Sequence, residues 1–291
     1  MAEKSIELRN GVLSPRVQLG TYRVRGEAVR SAVVAALEAG YRGIDTASAY
    51  RNQTEIGAAV WESLPGLGLT REDIFLTSKL APAEQGEEQC EAAVDRCLAE
   101  LGTNYLDLFL IHWPGGARLP PRHPDHARLR AESWAVLERL HDRGTLRAIG
   151  VSNYTVSQLE QLLASCSTPP HVLQTELHPH YQQSALVSLA RARGIHVQAY
   201  SSLGQNGPAG PLWQSEAVQA VARRLGRSPA QVLLRWAVQH GYTVMPKSVH
   251  QDRIRENFDL SFDIPSKEME LLNRMEISCS EKYAWDPSVV L

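Results

Sequence analysis

With 291 residues and 43% hydrophobic content, the chain can build one large domain or two small ones. Its 30 basic and 32 acidic residues leave a net charge of −2, which excludes a charge-driven role on nucleic acid or a membrane surface. The polar start "MAEKSIELRN" has no signal-peptide core, and no apolar run reaches spanning length. The four cysteines lack CxxC spacing, so free thiols in a reducing, cytoplasmic setting are expected.

The first element is a hairpin around Asn10–Gly11, a strong turn dipeptide. Eight short apolar runs then follow as candidate strands, at 17–22, 41–46, 74–80, 106–113, 146–152, 172–177, 195–201 and 242–248. Helical patterns separate them. "GEAVRSAVVAALEAG" carries Val29, Ala32, Val33, Ala36 and Leu37 on one stripe and stops at Gly40. "CEAAVDRCLAELG" stops at Gly102 and places Cys90 and Cys97 on one face. "AESWAVLERLHDRG" stops at Gly144, and "SPAQVLLRWAVQHG" opens with Ser228 as a cap and Pro229 at the first helical position. Residues 115–130, rich in Pro and Arg, read as an elongated loop after the fourth strand.

This alternation predicts parallel strands with helical crossovers. The expected fold is α/β: a (β/α)8 barrel as a single domain over 1–291, with the hairpin ahead of it and extra helices near the C-terminus. A doubly wound open sheet is the competitor, but it normally carries a GxGxxG loop after its first strand, and "VQLGTYRVRGEAV" has none.

Barrels of this type hold their chemistry at the C-terminal ends of the strands. There the second run offers Asp45 with Tyr50 beyond it, the third Lys79, and the fourth His112 and Trp113. A phenol titrates near pH ~10. A lysine ammonium beside it is expected to lower that value, with Asp45 holding the lysine and His112 hydrogen-bonding a substrate oxygen or relaying the proton. His178 and His180 invite a metal reading, but His112, the one other rim histidine, lies far from them, so no metal is expected. Lys247, Ser248 and Arg253 bracket a helix start and fit equally an anion site or a cap with two surface cations.

Together "GIDTASAYRNQTEIG", "LDLFLIHWP", "MPKSVHQDRIREN", "GVSNY" and "LQTELHPHYQQ" resemble the signatures of the aldo-keto reductase family, from the hairpin to Asn257. The resemblance implies NADPH-dependent reduction of aldehydes and ketones, with Tyr50 as proton donor, Asp45 and Lys79 tuning it, and His112 orienting the carbonyl. It implies a nicotinamide stacked on Tyr200, its amide held by Ser152, Asn153 and Gln174. Ser201 and Leu203 would line the pyrophosphate path, and Gly20, Thr21, Tyr22 and Asp45 would border the cofactor. Lys247, Ser248 and Arg253 would take the 2′-phosphate of NADP, with Glu256 and Asn257 facing the adenine. Substrate would meet Tyr22, Tyr50, His112 and Trp113, with Tyr283 and Trp285 from the tail as further candidates. Family members usually carry Trp where Tyr22 stands. The short tail suggests an open mouth and small or polar aldehydes, ketoaldehydes or sugar-like carbonyls. An alternative is an NADPH-binding regulatory or sensor protein on the same fold with little turnover; a metal-dependent barrel hydrolase is a third reading. The expected partner is a small carbonyl compound, and monomer is the default.

Overall fold

A computed structural model describes residues 4–205 and 207–291. The chain opens with the antiparallel hairpin β1 (Ser5–Glu7) and β2 (Leu13–Pro15), closed by the Leu8 N–H on the Val12 carbonyl at 2.8 Å. Eight parallel strands follow in chain order, each paired with the next: β3 (Leu19–Gly20), β4 (Gly43–Asp45), β5 (Phe75–Leu80), β6 (Leu108–Ile111), β7 (Ile149–Ser152), β8 (Val172–Glu176), β9 (His196–Tyr200) and β10 (Thr243–Val244). The two outer strands meet through a parallel bridge between Val17 and Val244, so the sheet closes on itself as a (β/α)8 barrel. Gly20 sits on that seam. A Cβ there would stand 2.5 Å from the Met245 carbonyl oxygen, so only glycine permits the closure.

Helices α1 (Glu27–Ala39), α2 (Gln53–Leu67), α3 (Glu87–Leu101), α4 (Asp125–Asp142), α5 (Val156–Ser165) and α6 (Ser184–Ala192) cross between successive strands. α7 (Pro211–Gln214), α8 (Glu216–Leu225) and α9 (Pro229–Gln239) lie between β9 and β10; α10 (Gln251–Phe258), α11 (Ser266–Asn273) and α12 (Met275–Ser278) follow β10. The five predicted stripe residues of α1 are all buried, and Gly40 ends it in the left-handed conformation. Cys90 and Cys97 are both buried on α3, and all four cysteines are free. No described helix is long and apolar enough to cross a membrane.

Strand pleating sorts side chains by parity. On β6, Phe109 and Ile111 join the large core between sheet and helices. Leu108 and Leu110 point inward with Phe75 and Val172, where Leu8 of the hairpin plugs the barrel bottom. Burying each such side chain contributes roughly 1.5–3 kcal/mol.

One expectation needs correction. Residues 115–130 are not loop throughout, because α4 begins at Asp125. Pro124 sits at the helix start with φ −63°, and the His123 ring accepts the Asp125 N–H at 3.2 Å. Arg128 and Arg130 are therefore helical. Arg130 is buried, donating to the carbonyls of Pro114 at 3.0 Å and Leu291 at 2.6 Å, so it is not a solvated loop charge.

Candidate active site

The pleat that aims Phe75 inward also aims Thr77 and Lys79 inward, each two residues further toward the C-terminal end of β5. On β4 the outward Ile44 precedes the inward Asp45. The two strands are neighbours, and the Lys79 Nζ meets Asp45 Oδ1 at 2.6 Å with both side chains buried. Lys79 also donates to the Thr46 carbonyl at 2.9 Å. The other Asp45 oxygen accepts from Gln174 Nε2, on β8 across the barrel, at 2.8 Å. Burial lowers the Lys79 pKa, and the Asp45 charge opposes that shift.

Tyr50 comes from a single tight turn, Ser48–Tyr50, between β4 and α2. Ser48 Oγ donates to the Lys79 carbonyl at 3.0 Å, and Arg51 follows with φ 54°. Asn52 then ties the turn down, donating to the carbonyls of Thr21 and Val24 and accepting from Thr46 Oγ1 at 2.8 Å. These clamps put the Tyr50 ring over Lys79, with Nζ 5.2 Å from its centroid. The His112 ring lies edge-on at 5.6 Å and Tyr22 at 5.1 Å. Sequence reasoning passed over Ser48 and Asn52, although a polar residue directly before the α2 pattern is itself a signal.

The expected acidified phenol is not what the structure holds. Burial first, then the Asp45 carboxylate and the neighbouring phenols of Tyr22 and Tyr200, raise the Tyr50 pKa well above 10. The phenol is neutral. His112 is neutral too: burial first, and the Lys79 charge second, push it down to about 3. It can offer a neutral ring N–H, but it is no imidazolium relay.

Beyond the tetrad, Ser152 and Asn153 end β7, and Asn153 adopts φ 64°. Its amide donates to the His112 carbonyl at 2.9 Å and to Ser152 Oγ at 3.0 Å, while its Oδ1 accepts the Tyr200 hydroxyl at 2.5 Å. Gln174 Nε2 serves Asp45 and Gln198, which leaves its Oε1 to accept from a ligand amide. Ser201, at φ 51°, and Leu203 follow directly on Tyr200. Thr21 is buried, its hydroxyl on the Asp45 carbonyl at 2.9 Å.

Lys247 and Arg253 are exposed and flank the start of α10, which has no side-chain cap; Ser248 is buried beside them, and Asn257 is buried on the same helix as half-exposed Glu256. Two exposed cations, a hydroxyl and an uncapped helix start fit a phosphomonoester. The donor set thus suits a dinucleotide running from Tyr200 to α10.

The tail is strapped down. The buried Glu176 carboxylate, at the end of β8, accepts from Lys282 Nζ, the Tyr283 N–H at 2.5 Å and the Ala284 N–H at 3.0 Å, with His178 Nε2 at 3.1 Å. Burial would raise its pKa, but the bonds from His178 and Lys282 outweigh that and bring it to about 2. Beyond, Trp285 stands edge-on to Trp113 at 6.4 Å, and the Val290 carbonyl accepts from Gln158 at 2.8 Å. The tail therefore packs against the loop that leads into α4 and lines the mouth with Trp285.

The Aldo/keto reductase family profile matches residues 16–277. The chain is 40% identical over 290 residues to Aldo-keto reductase family 1 member A1-A of Danio rerio, covering 92% of this chain and 88% of that one. It is 38% identical to the glyoxal reductase of Bacillus subtilis (strain 168), covering 93% and 92%. Among solved structures, MGS-M4, an aldo-keto reductase from a Medee basin deep-sea metagenome, superposes with TM-score 0.89 at 32% identity, covering 97% of this chain and 98% of that one. The aldose reductase of Schistosoma japonicum gives TM-score 0.86 at 36% identity, covering 97% and 94%.

Proposed function

This chain belongs to the aldo/keto reductase family of oxidoreductases, and from that premise we propose that it reduces small or polar aldehydes and ketoaldehydes with NADPH. The observation that carries the reading is the meeting of Asp45, Lys79, Tyr50 and His112 from three adjacent barrel strands and one clamped turn. The similarity to a glyoxal reductase favours compact carbonyls.

Bound NADPH would supply the hydride. Tyr200, Ser152, Asn153 and Gln174 would hold its nicotinamide end, Gly20, Thr21, Tyr22, Ser201 and Leu203 its middle, and Lys247, Ser248, Arg253, Glu256 and Asn257 its adenosine phosphate end. The neutral ring N–H of His112 donates to the carbonyl oxygen and draws electron density toward it. The Tyr50 hydroxyl gives its proton to the alkoxide as that charge develops, since an alkoxide is far more basic than a phenolate. The raised phenol pKa keeps the proton in place until then. The phenolate left behind faces the buried Lys79 ammonium, which Asp45 keeps charged and fixed. Tyr22, Trp113 and Trp285 would offer aromatic walls beside the substrate.

Tyr50→Phe keeps the ring and its contacts with Tyr22 and His112 and removes only the hydroxyl. Steady-state NADPH oxidation with an aldehyde panel should fall by about 10²–10⁴-fold, with NADPH binding retained. Unchanged aldehyde reduction in this variant refutes the assignment. Negligible turnover by the unaltered protein across the panel, with NADPH bound, favours the sensor reading.

A further inference from the structure

Outside the tetrad, among the described residues, one group of metal-ligating side chains converges. His180, Cys279 and Glu281 each offer a ligand atom, and these atoms all lie within 4.8 Å of one another. We propose that they form a site for one Zn²⁺ that ties the C-terminal tail to the turn after β8. The sequence drew attention to His178 and His180 but not to the partners of His180, because Cys279 lies 99 positions away.

Local backbone structure brings the three together before any ion arrives. Residues 178–181 form a tight turn in which His178 and Tyr181 exchange both backbone hydrogen bonds, at 3.2 and 2.8 Å, and this turn presents the buried His180. The Glu281 N–H donates to the His180 carbonyl at 3.0 Å, fixing the register of tail against turn. Cys279 leaves α12 in an extended conformation, φ −150° and ψ 92°. In extended chain, positions two apart point to the same side, so the Cys279 and Glu281 side chains approach His180 together.

The chemistry suits zinc. Imidazole nitrogen, thiolate and carboxylate are its usual donors, and three protein ligands leave a fourth position for water. Bonds of that kind in a tetrahedron set neighbouring ligand atoms about 3.4–3.6 Å apart. Cys279 Sγ already stands 4.0 Å from His180 Nδ1, so a small side-chain adjustment closes the site. The Tyr283 hydroxyl, now 2.8 Å from His180 Nδ1, would turn away to open that nitrogen to the ion. Because residues 282–284 continue directly onto Glu176 and Trp285 reaches the mouth, the ion would stiffen the segment that frames substrate entry.

The test uses the full chain, stripped with a chelator and titrated with Zn²⁺ against a chromophoric competitor. One equivalent should bind, and His180→Ala, Cys279→Ser and Glu281→Gln should each weaken it by about tenfold or more. Cys166→Ser should bind as the unaltered chain does. In that Cys166→Ser background, Zn²⁺ should slow the reaction of Cys279 with a thiol reagent. Absence of one-equivalent binding, affinity unchanged in Cys279→Ser, or thiol reactivity indifferent to Zn²⁺ each overturns the proposal. Should His180→Ala fail to fold, the exposed Glu281→Gln still decides it. None of these readouts depends on carbonyl reduction, so failure here and failure of the proposed activity are separable.

Discussion

Lys79 Nζ and Asp45 Oδ1 form a buried ion pair at 2.6 Å on adjacent strands, with side-chain exposures of 0% and 5%. A pair so placed is costly to break from one side, because the remaining charge has neither partner nor water. Lys79→Met should cost about 3–5 kcal/mol by urea denaturation. The double variant Asp45→Asn/Lys79→Met should recover much of that stability while remaining inactive. A double variant as unstable as the single one would show that the pair does not couple.

The second prediction concerns His112, whose native pKa of about 3 lies below its ordinary 6.5. Its native ring refuses a proton that the unfolded chain takes up. Stability is therefore lost as pH falls from about 6.5 toward 3, by up to about 1.4 kcal/mol per pH unit for this group. His196, held at about 4 by burial first, acts in the same direction. Denaturation at pH 7.5 and 5.5 should show proton uptake on unfolding at the lower pH, reduced in His196→Gln. The kcat/KM profile should carry no inflection near 6.5 from His112, since its ring does not charge there.

At the far end of the proposed cofactor path, Lys247 and Arg253 flank the uncapped start of α10. If they read a 2′-phosphate, Arg253→Ala should weaken NADPH binding by about 10–100-fold, the range of charge-assisted hydrogen bonds, and leave NADH nearly unaffected. Equal losses for both nucleotides would place Arg253 elsewhere in the site.

Asp45, Lys79 and His112 were legible because strand–helix alternation and a period of two decide which end and which face each occupies. Tyr50 was legible as a phenol too polar in its surroundings to be core. Its raised pKa was not, because it follows from how deeply the clamped turn seats the ring, and Ser48 and Asn52 set that depth through contacts with β5 and with the residues after β3. The tail was the other blind spot. Glu176 meets Lys282 across 106 positions, and Arg130 meets the last carbonyl across 161. No local pattern encodes such pairings, so the sequence shows a short tail and not the strap it forms across Glu176 and Arg130.

Trp285 is 78% exposed, and its ring contact is with Trp113. Its truncation should therefore act on substrate more than on folding. Trp285→Ala should leave the melting temperature within about 1 °C, since substitutions at such exposed positions usually stay within ~0.5 kcal/mol. It should raise KM for aromatic aldehydes more than for compact ones. A uniform fall in kcat for all aldehydes would instead assign Trp285 to the chemistry.

The strap itself has a pH signature. Glu176 titrates near 2 in the folded chain against an ordinary 4.5, so its contribution to stability is fully present above about 4.5 and is lost as pH falls toward 2. Lys282→Met removes one charged donor and leaves the carboxylate on His178 and the two tail N–H groups. At pH 7 the variant should be less stable by about 1.5–3 kcal/mol, the worth of a hydrogen bond to a charged group. Removing that cation also raises the Glu176 pKa toward its ordinary value, so the gap to the unaltered chain should narrow as pH falls below 4.5. A gap that stays constant from pH 7 to pH 3.5 would mean that Lys282 acts by packing alone, and that the tail is not held by the charge on Glu176.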